Sequence, residues 1–209
     1  MLRSISARLL FAAATTMVGL VFTSPLPVRG ESGRDRWQEP KRILDALNIR
    51  EGTHVADLGA GYGYFTFRLA RRAGKTGRVF AVDVSKPRLK YLRRRARASN
   101  RKSKSADIRV LRGNDRESGL PPGGVDLILS VNTYHHLKNR VAYFRRLKQV
   151  FRKGGRLALI DYRPKDERYS GHSIARAIIV REMKAAGYRL VLEFKFLEKQ
   201  NFLVYAPES

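Results

Sequence analysis

Residues 53–70 read T-H-V-A-D-L-G-A-G-Y-G-Y-F-T-F-R-L-A, so that a short apolar run passes through three glycines into a helical pattern. Asp57 lies two residues before the first glycine, Gly59, and Gly61 and Gly63 follow at alternate positions. Such a loop lets backbone approach a ligand where a Cβ atom would clash, and a helix N-terminus offers free amide donors. The stretch predicts a cofactor site; the plainer interpretation is a tight turn without a ligand.

The glycine spacing separates two classes of ligand. Dinucleotide-binding folds use G-x-G-x-x-G, in which the third glycine allows close helix packing and the helix faces a pyrophosphate. Here Tyr64 stands where that third glycine would be, and the loop reads G-x-G-x-G after an acidic residue. This arrangement favours a cationic ligand without phosphate, such as S-adenosylmethionine.

Apolar runs and helical patterns alternate along the rest of the chain, and two β-rich segments close it. This order predicts an α/β, Rossmann-like, doubly wound fold, with a mostly parallel seven-stranded sheet and an antiparallel edge strand. After the first strand, further strands are predicted at 79–84, 108–111, 125–131, 156–162, 189–197 and 201–206. Helices are predicted at 34–47, after the glycine loop, at 86–104, from Leu137 to the Gly154-Gly155 pair, and at 173–186.

Two strand ends carry polar residues suited to ligand contact. Asp83 ends the second strand, at the edge where open α/β sheets bind ligands, and its carboxylate can accept both hydroxyls of a ribose. The alternative is a cap for the helix that starts near Ser85. The fourth strand runs into Asn132-Thr133-Tyr134-His135-His136, a polar and aromatic cluster in which we expect the substrate contacts.

The composition excludes some chemistry and suggests partners. The chain of 209 residues has no cysteine, which removes disulfides, thiolate metal sites and a cysteine nucleophile. Its 43 basic and 18 acidic residues give a formal charge of +25, which predicts affinity for RNA or an anionic membrane surface. The basic residues of 86–104 are either a solvated helix face or a surface that contacts phosphate.

Residues 1–30 differ from the rest of the chain. Arg3 and Arg8 precede an apolar run over 9–24, and two prolines and small residues follow. These are the parts of a secretory signal, and the alternatives are an uncleaved membrane anchor and an organellar transit peptide. The expected organisation is a leader at 1–30 and one domain at 31–209, exported to the periplasm or membrane-anchored, with a cytoplasmic location as the alternative.

From residue 37 to residue 205 the chain resembles the class I S-adenosylmethionine-dependent methyltransferases. Four motifs in the family's order carry the resemblance. They are V-A-D-L-G-A-G-Y-G at 55–63, V-F-A-V-D-V at 79–84, L-P-P-G-G-V-D-L-I-L-S-V-N-T-Y-H-H-L at 120–137 and L-K-Q-V-F-R-K-G-G-R-L-A-L-I-D-Y at 147–162.

The resemblance implies positions for each part of S-adenosyl-L-methionine. The methionine part lies against the first motif, the ribose against Asp83, and the adenine near a residue that follows the third strand. Many relatives have an aspartate directly after the glycine there, whereas this chain has Gly113-Asn114-Asp115, which leaves two candidates. The predicted cofactor-binding residues are Asp57, Gly59, Ala60, Gly61, Gly63, Asp83, Val84, Asn114, Asp115 and Asn132.

Methyl transfer requires an aligned acceptor, exclusion of water and, for some acceptors, removal of a proton. The candidate catalytic residues are Tyr134, His135 and His136, and no metal is expected. Methylation at cytosine carbon generally needs a cysteine, and amine methylation of bases commonly uses an Asn/Asp-Pro-Pro-aromatic run, which Asn132-Thr133-Tyr134-His135 lacks. The predicted acceptor is therefore a small, lipid-like or apolar molecule. The alternatives are an RNA or polyanion methyltransferase and a non-catalytic cofactor-binding module.

Overall fold

The computed structural model describes residues 31–101, 104–164 and 172–208. The described strands are β1 (His54–Leu58), β2 (Arg78–Asp83), β3 (Asp107–Arg112), β4 (Val125–Val131), β5 (Phe151–Tyr162), β6 (Tyr188–Phe194) and β7 (Gln200–Pro207). They form one sheet in the order β3-β2-β1-β4-β5-β7-β6. The first five strands pair in parallel, and β7 runs antiparallel to both β5 and β6. The predicted fold class is confirmed, with the antiparallel strand second from one edge.

Helices lie on both faces of this sheet. The described helices are α1 (Glu31–Gln38), α2 (Pro40–Ala46), α3 (Thr66–Ala73), α4 (Lys86–Asn100), α5 (Arg140–Leu147) and α6 (Arg176–Ala185). Apolar side chains of α2, α3 and α4 form one core with the sheet, and those of α5 and α6 form a second core on the other face. The two cores sandwich strands whose side chains are buried on both sides, which explains their continuous apolar sequences.

From β1 the sheet extends through β2 and β3 on one side and through β4 and β5 on the other, so the strand order switches at β1. This strand pairs with β2 on one side, where Leu58 lies opposite Val82, and with β4 on the other, where Leu58 lies opposite Ser130. Because the connections leave on opposite faces, a crevice opens beyond the carboxyl ends of β1 and β4. Both the glycine loop and the polar cluster at 132–136 follow these strand ends.

The single helix predicted at 34–47 is wrong: two helices, α1 and α2, occupy this stretch. They are separated at Glu39, whose backbone is left-handed with φ 45° and ψ 53°. Pro40 begins α2, and a proline disfavours the helical conformation in the residue before it. The break lets α1 take its own direction.

The Gly154-Gly155 pair does not end a helix, as its position suggested. Helix α5 stops at Leu147, a 3₁₀ turn follows over Lys148–Val150, and β5 already begins at Phe151. Val125 pairs with Phe151 and Leu127 with Arg156, so extra residues of β5 bulge between these pairs. Gly154, at φ 79°, supplies the backbone conformation that this irregularity requires.

Two other helices are shorter than predicted, since α4 ends at Asn100 and α6 covers only Arg176–Ala185. The leader predicted at residues 1–30 lies outside the described residues. Within the described ranges, no helix has the length and apolar character needed to cross a membrane.

Candidate functional site

The three glycines of the first motif have different surroundings. All have positive φ, at 83° for Gly59, 57° for Gly61 and 86° for Gly63. A Cβ atom on Gly59 would lie 1.9 Å from Thr133 Oγ1, and one on Gly63 would lie 2.5 Å from the Phe67 ring. A Cβ atom on Gly61 would have nothing within 4 Å. Gly59 and Gly63 thus permit close packing, whereas Gly61 faces open space.

The glycine loop is held by β2 and does not lead directly into a helix. The amides of Gly59 and Ala60 both donate to the Val82 carbonyl at 2.9 Å, and the Gly61 amide donates to Asp83 Oδ2 at 2.8 Å. Helix α3 begins only at Thr66, after a turn. The sequence suggested free amide donors at this point, but these three loop amides are already paired. The loop can therefore contact a ligand by its shape but not through these amides.

Asp83 has two roles in the structure. It is buried, with Oδ2 accepting the Gly61 amide and Oδ1 accepting the Ser85 amide at 2.9 Å, where α4 begins. Asp83 therefore supports the start of α4, which was the alternative role, and this does not exclude the predicted contact with ribose. Each carboxylate oxygen has a further lone pair, so Asp83 can still accept ribose hydroxyls. Val84, the next residue, is 62% exposed and is free to cover an adenine ring.

Asp57 is a buried carboxylate beneath the loop. Its Oδ2 accepts a 2.6 Å hydrogen bond from the Thr66 hydroxyl. Burial raises the pKa of Asp57 to about 6, although the Thr66 hydrogen bond and the positive charge of Arg34 act in the opposite direction. A buried carboxylate is stabilised by a nearby positive charge. The sulfonium and ammonium groups of S-adenosyl-L-methionine supply such charge, so this position fits that ligand.

Helix α1 closes one side of the crevice through a chain of polar side chains that sequence reasoning missed. Arg34 donates to Gln38 Oε1 at 3.1 and 3.2 Å, and Gln38 donates to Gln200 at 2.5 Å. Gln200 in turn donates to Asn132 Oδ1 at 2.5 Å, which joins α1 to the ends of β7 and β4. Asn132, a predicted cofactor residue, is thereby fixed at the crevice with a left-handed φ of 52°.

Tyr64, which replaces the third glycine of a dinucleotide loop, also ties α1 to the loop. Its hydroxyl donates to Asp35, and Arg68 donates to both carboxylate oxygens of Asp35 at 3.0 Å. The Arg34 guanidinium lies over the Tyr64 ring at 3.9 Å from its centroid. Tyr64, which stands where a dinucleotide-binding loop has its third glycine, therefore helps to position α1 over the crevice.

Tyr134 and His135, neighbours in the polar cluster after β4, have different surroundings. Tyr134 points into the core beside α5 and α6, where its ring stacks on Phe144 and its hydroxyl donates to Glu182 at 2.6 Å. Burial raises the pKa of Tyr134, so its hydroxyl stays protonated. This placement favours a packing role for Tyr134 over the predicted contact with substrate.

His135 forms a buried pair with Asp161. Its Nδ1 atom lies 2.7 Å from Asp161 Oδ1, and the two side chains are 5% and 0% exposed. Asp161 also accepts the amides of His135 and Tyr162 at 3.3 and 2.8 Å. In the neutral imidazole, a proton on Nδ1 lets this atom donate to the Asp161 carboxylate, and Nε2 is then an acceptor. Sequence reasoning placed Asp161 at the end of the fifth strand but did not assign it to the site.

The signal that could have revealed Asp161 is topological. β4 and β5 are adjacent and parallel, with Val131 opposite Ile160, so the residues that follow them meet at one edge. The rings of His136 and His172 lie 4.0 and 5.7 Å from the His135 ring. Across the described ranges, no group of three or more His, Cys, Asp or Glu side chains is arranged to hold a metal ion.

The loop after β3 contains Asn114 and Asp115, the two residues predicted to contact adenine. The Asn114 side chain accepts the amides of Arg116 and Glu117, each at 2.8 Å, and so stabilises its own turn. Asp115 is exposed. The Gly113 amide donates to the Asp83 carbonyl at 3.1 Å, which brings this loop beside the predicted ribose position.

Comparisons with known proteins identify methyltransferases that are similar to this chain. Residues 56–159 match the family described as "Methyltransferase domain". The uncharacterised methyltransferase YdaC of Bacillus subtilis is 26% identical over 161 residues, which cover 75% of this chain and 83% of YdaC. Nocamycin O-methyltransferase of Saccharothrix syringae is 26% identical over 119 residues, covering 57% of this chain but only 41% of that enzyme.

A solved structure extends the match beyond the family region. A SAM-dependent methyltransferase from Aquifex aeolicus superposes with a TM-score of 0.74 at 23% identity, covering 83% of this chain and 92% of that one. At this identity the likeness establishes the fold. The family match and the shared fold support a class I S-adenosyl-L-methionine-dependent methyltransferase domain, with S-adenosyl-L-methionine as its cofactor.

Proposed function

We propose that the chain transfers a methyl group directly from S-adenosyl-L-methionine to a small, apolar or lipid-like acceptor, with His135 as general base and Asp161 as its positioning residue. The observation that carries the proposal is the buried His135–Asp161 pair at the crevice edge, with 2.7 Å between Nδ1 and Oδ1. The bound cofactor supplies an activated methyl group on a sulfonium. The protein therefore has to align the acceptor, exclude water and remove a proton.

The proton follows a short route in this geometry. Asp161 holds the imidazole with Nδ1 protonated, so Nε2 would accept the proton that the acceptor's hydroxyl or amine loses on methylation. The methyl–sulfur bond of the cofactor would break in the same step and leave S-adenosyl-L-homocysteine. The resulting imidazolium is stabilised by the Asp161 carboxylate. Asp161 also accepts backbone amides, which hold its orientation during this step.

The aromatic residues near the pair support an apolar acceptor. Tyr162 lies 6.5 Å from the His135 ring, and Trp37 of α1 stacks on Tyr162 at 6.0 Å between ring centroids. Both residues are only partly buried, so their rings can cover a ligand. The absence of cysteine in the chain and of the Pro-Pro motif after β4 favours this acceptor over nucleic-acid bases.

The test uses S-adenosyl-L-methionine labelled in the methyl group. We expect label to enter a low-molecular-mass or lipid fraction of a cell extract. His135→Asn and Asp161→Asn should each lose about 100-fold or more of this incorporation, because general bases contribute that much. Cofactor affinity, measured by calorimetry, should change little in either variant.

The matched control is His54→Asn, which removes a histidine at the start of β1, at the opposite end of the strand from the crevice. It should retain full incorporation. Full turnover in both site variants would remove the pair from the chemistry. Label that enters RNA and not the small-molecule fractions would show that the proposed acceptor class is wrong.

A further inference from the structure

Helix α4 and its C-cap residue Arg101 carry a continuous row of positive side chains along the exposed side of the helix. At 100° per residue and 1.5 Å rise, these positions fall in a sector of roughly 100° and extend about 22 Å along the helix. All six side chains are exposed. We call the row the α4 stripe; its members are Lys86, Lys90, Arg93, Arg94, Arg97 and Arg101.

The stripe is unpaired, unlike other basic residues on the same face of the sheet. Arg68 and Arg72 of the neighbouring helix α3 form ion pairs with Asp35 and Asp45. Among the residues that the structure describes, no stripe member has an ion-pair partner, and residues 86–101 contain no acidic side chain. Like charges one helical turn apart destabilise a helix, so an anionic partner would relieve this repulsion.

One exposed and one partly buried aromatic ring lie beside the stripe. Tyr62 in the glycine loop is 61% exposed, and its ring meets Tyr91 of α4 edge to face at 5.3 Å between centroids. The Arg94 and Arg95 guanidinium groups each lie 5.8 Å from the centre of the Tyr91 ring. Cations beside accessible aromatic rings are the combination with which proteins hold single-stranded nucleic acid, since phosphates contact the cations and bases stack on the rings.

A membrane surface fits this face less well. Helices that bind in the membrane interface pair their basic face with a large apolar one that enters the lipid. The apolar residues of α4 that are large, Leu89 and Leu92, are buried in the protein. The six cations of the α4 stripe follow one another along the helix in steps of up to about 6 Å, a spacing that suits a single phosphate backbone.

We propose that the α4 stripe, together with Tyr62 and Tyr91, is a docking surface for single-stranded nucleic acid. Helix α4 begins three residues after Asp83, so a strand held along the stripe has one end beside the mouth of the cofactor crevice. The surface is independent of the methyl-transfer proposal, because the bound strand need not be the methyl acceptor.

The test is fluorescence anisotropy with a labelled 20-nucleotide oligouridine, comparing the full chain with two variants of equal charge. The stripe variant combines Lys90→Gln, Arg93→Gln, Arg94→Gln and Arg97→Gln. The control combines Arg181→Gln, Lys184→Gln, Arg189→Gln and Lys195→Gln, four exposed cations on or next to α6 and β6. Each set lowers the formal charge from +25 to +21, that is, 25 minus 4.

We expect the stripe variant to bind at least about tenfold more weakly at 100 mM salt, and the control to stay within about threefold of the wild type. The slope of log affinity against log salt should fall by roughly 3 in the stripe variant, since each phosphate contact contributes about 0.7 on a single strand. Glutamine is as good a helix former as lysine or arginine, and circular dichroism should show an intact fold.

Three results would overturn the proposal. Equal weakening in both variants would show that total charge and not the stripe binds the strand. No binding by the wild type at 50 mM salt would remove the surface altogether. Stronger binding to vesicles containing phosphatidylglycerol than to the oligouridine, lost in the stripe variant, would assign the stripe to a membrane. None of these results bears on transfer to a small molecule, which is measured separately.

Discussion

Asp57 gives a prediction whose size follows from its burial. Its pKa is raised from 3.8 to about 6 in the folded protein. The folded state therefore binds a proton that the unfolded state has released over this range, and the wild type loses stability as pH rises from about 4 to about 6. At 1.36 kcal/mol for each pKa unit, the loss is about 3 kcal/mol.

Asp57→Asn removes this titration while keeping an oxygen that can accept the Thr66 hydroxyl. The unfolding free energy of the variant relative to the wild type should rise by up to about 3 kcal/mol between pH 4 and pH 7 and then level off. Urea denaturation across this range measures the difference. The control is Asp115→Asn, which removes one negative charge from an exposed position and so corrects for the change in net charge.

The same carboxylate links pH to cofactor affinity. A cationic ligand favours ionised Asp57, so affinity for S-adenosyl-L-methionine in the wild type should fall by up to about tenfold between pH 7 and pH 5. In Asp57→Asn the affinity should be weak at both pH values, as calorimetry can show. A relative stability that stays flat from pH 4 to pH 8 would refute the reasoning, because burial would then not control this group.

Three further substitutions test neighbouring parts of the account. Gly61→Val should abolish calorimetric binding of the cofactor, while Gly123→Val, at a similar positive φ and with equally open space, should keep it; equal affinities would place the ligand elsewhere. Asp83→Ala should weaken the cofactor by about 1–3 kcal/mol through lost hydrogen bonds, and an unchanged titration would exclude the predicted ribose contact. Tyr134→Phe should cost about 1 kcal/mol in thermal or urea unfolding, since Glu182 loses a donor, with turnover intact; a large fall in turnover at normal stability would restore Tyr134 to the chemistry.

The strands and the cofactor loop were predictable because their signals are local. A continuous apolar run that ends in a polar residue describes a buried parallel strand, and β4 has the predicted bounds. Glycines at alternate positions after β1 mark backbone that needs positive φ, and the structure has this conformation at all three. These features depend on neighbours within a few residues.

Helix boundaries were less predictable because the local signals have more than one solution. Gly154 breaks regular structure, but the break is a bulge inside β5 and not the end of α5. Pro40 fits a first helical turn, but the sequence does not show that Glu39 takes a left-handed conformation and separates two helices. The pairing of β5 with β4 determines the position of the bulge, and the packing of α1 determines the break at Glu39.

The candidate site depends on contacts between distant residues. His135 stood out as polar at a strand end, but its pairing with Asp161 follows from the register of β4 against β5. The Gln38–Gln200 hydrogen bond joins residues 162 positions apart. Tyr134 is adjacent to His135 in sequence, yet its ring lies in the core beside α5 and its hydroxyl donates to Glu182 of α6. No periodicity separates such neighbours.

The central claim is that the crevice between β1 and β4 binds S-adenosyl-L-methionine. Calorimetric titration of the wild-type chain at pH 7.5 with this cofactor and with S-adenosyl-L-homocysteine, its demethylated product, tests it directly. We predict saturable binding of one molecule per chain for both ligands, lost for both in Gly61→Val and kept in Gly123→Val. The absence of binding for both ligands in the wild type would contradict the account.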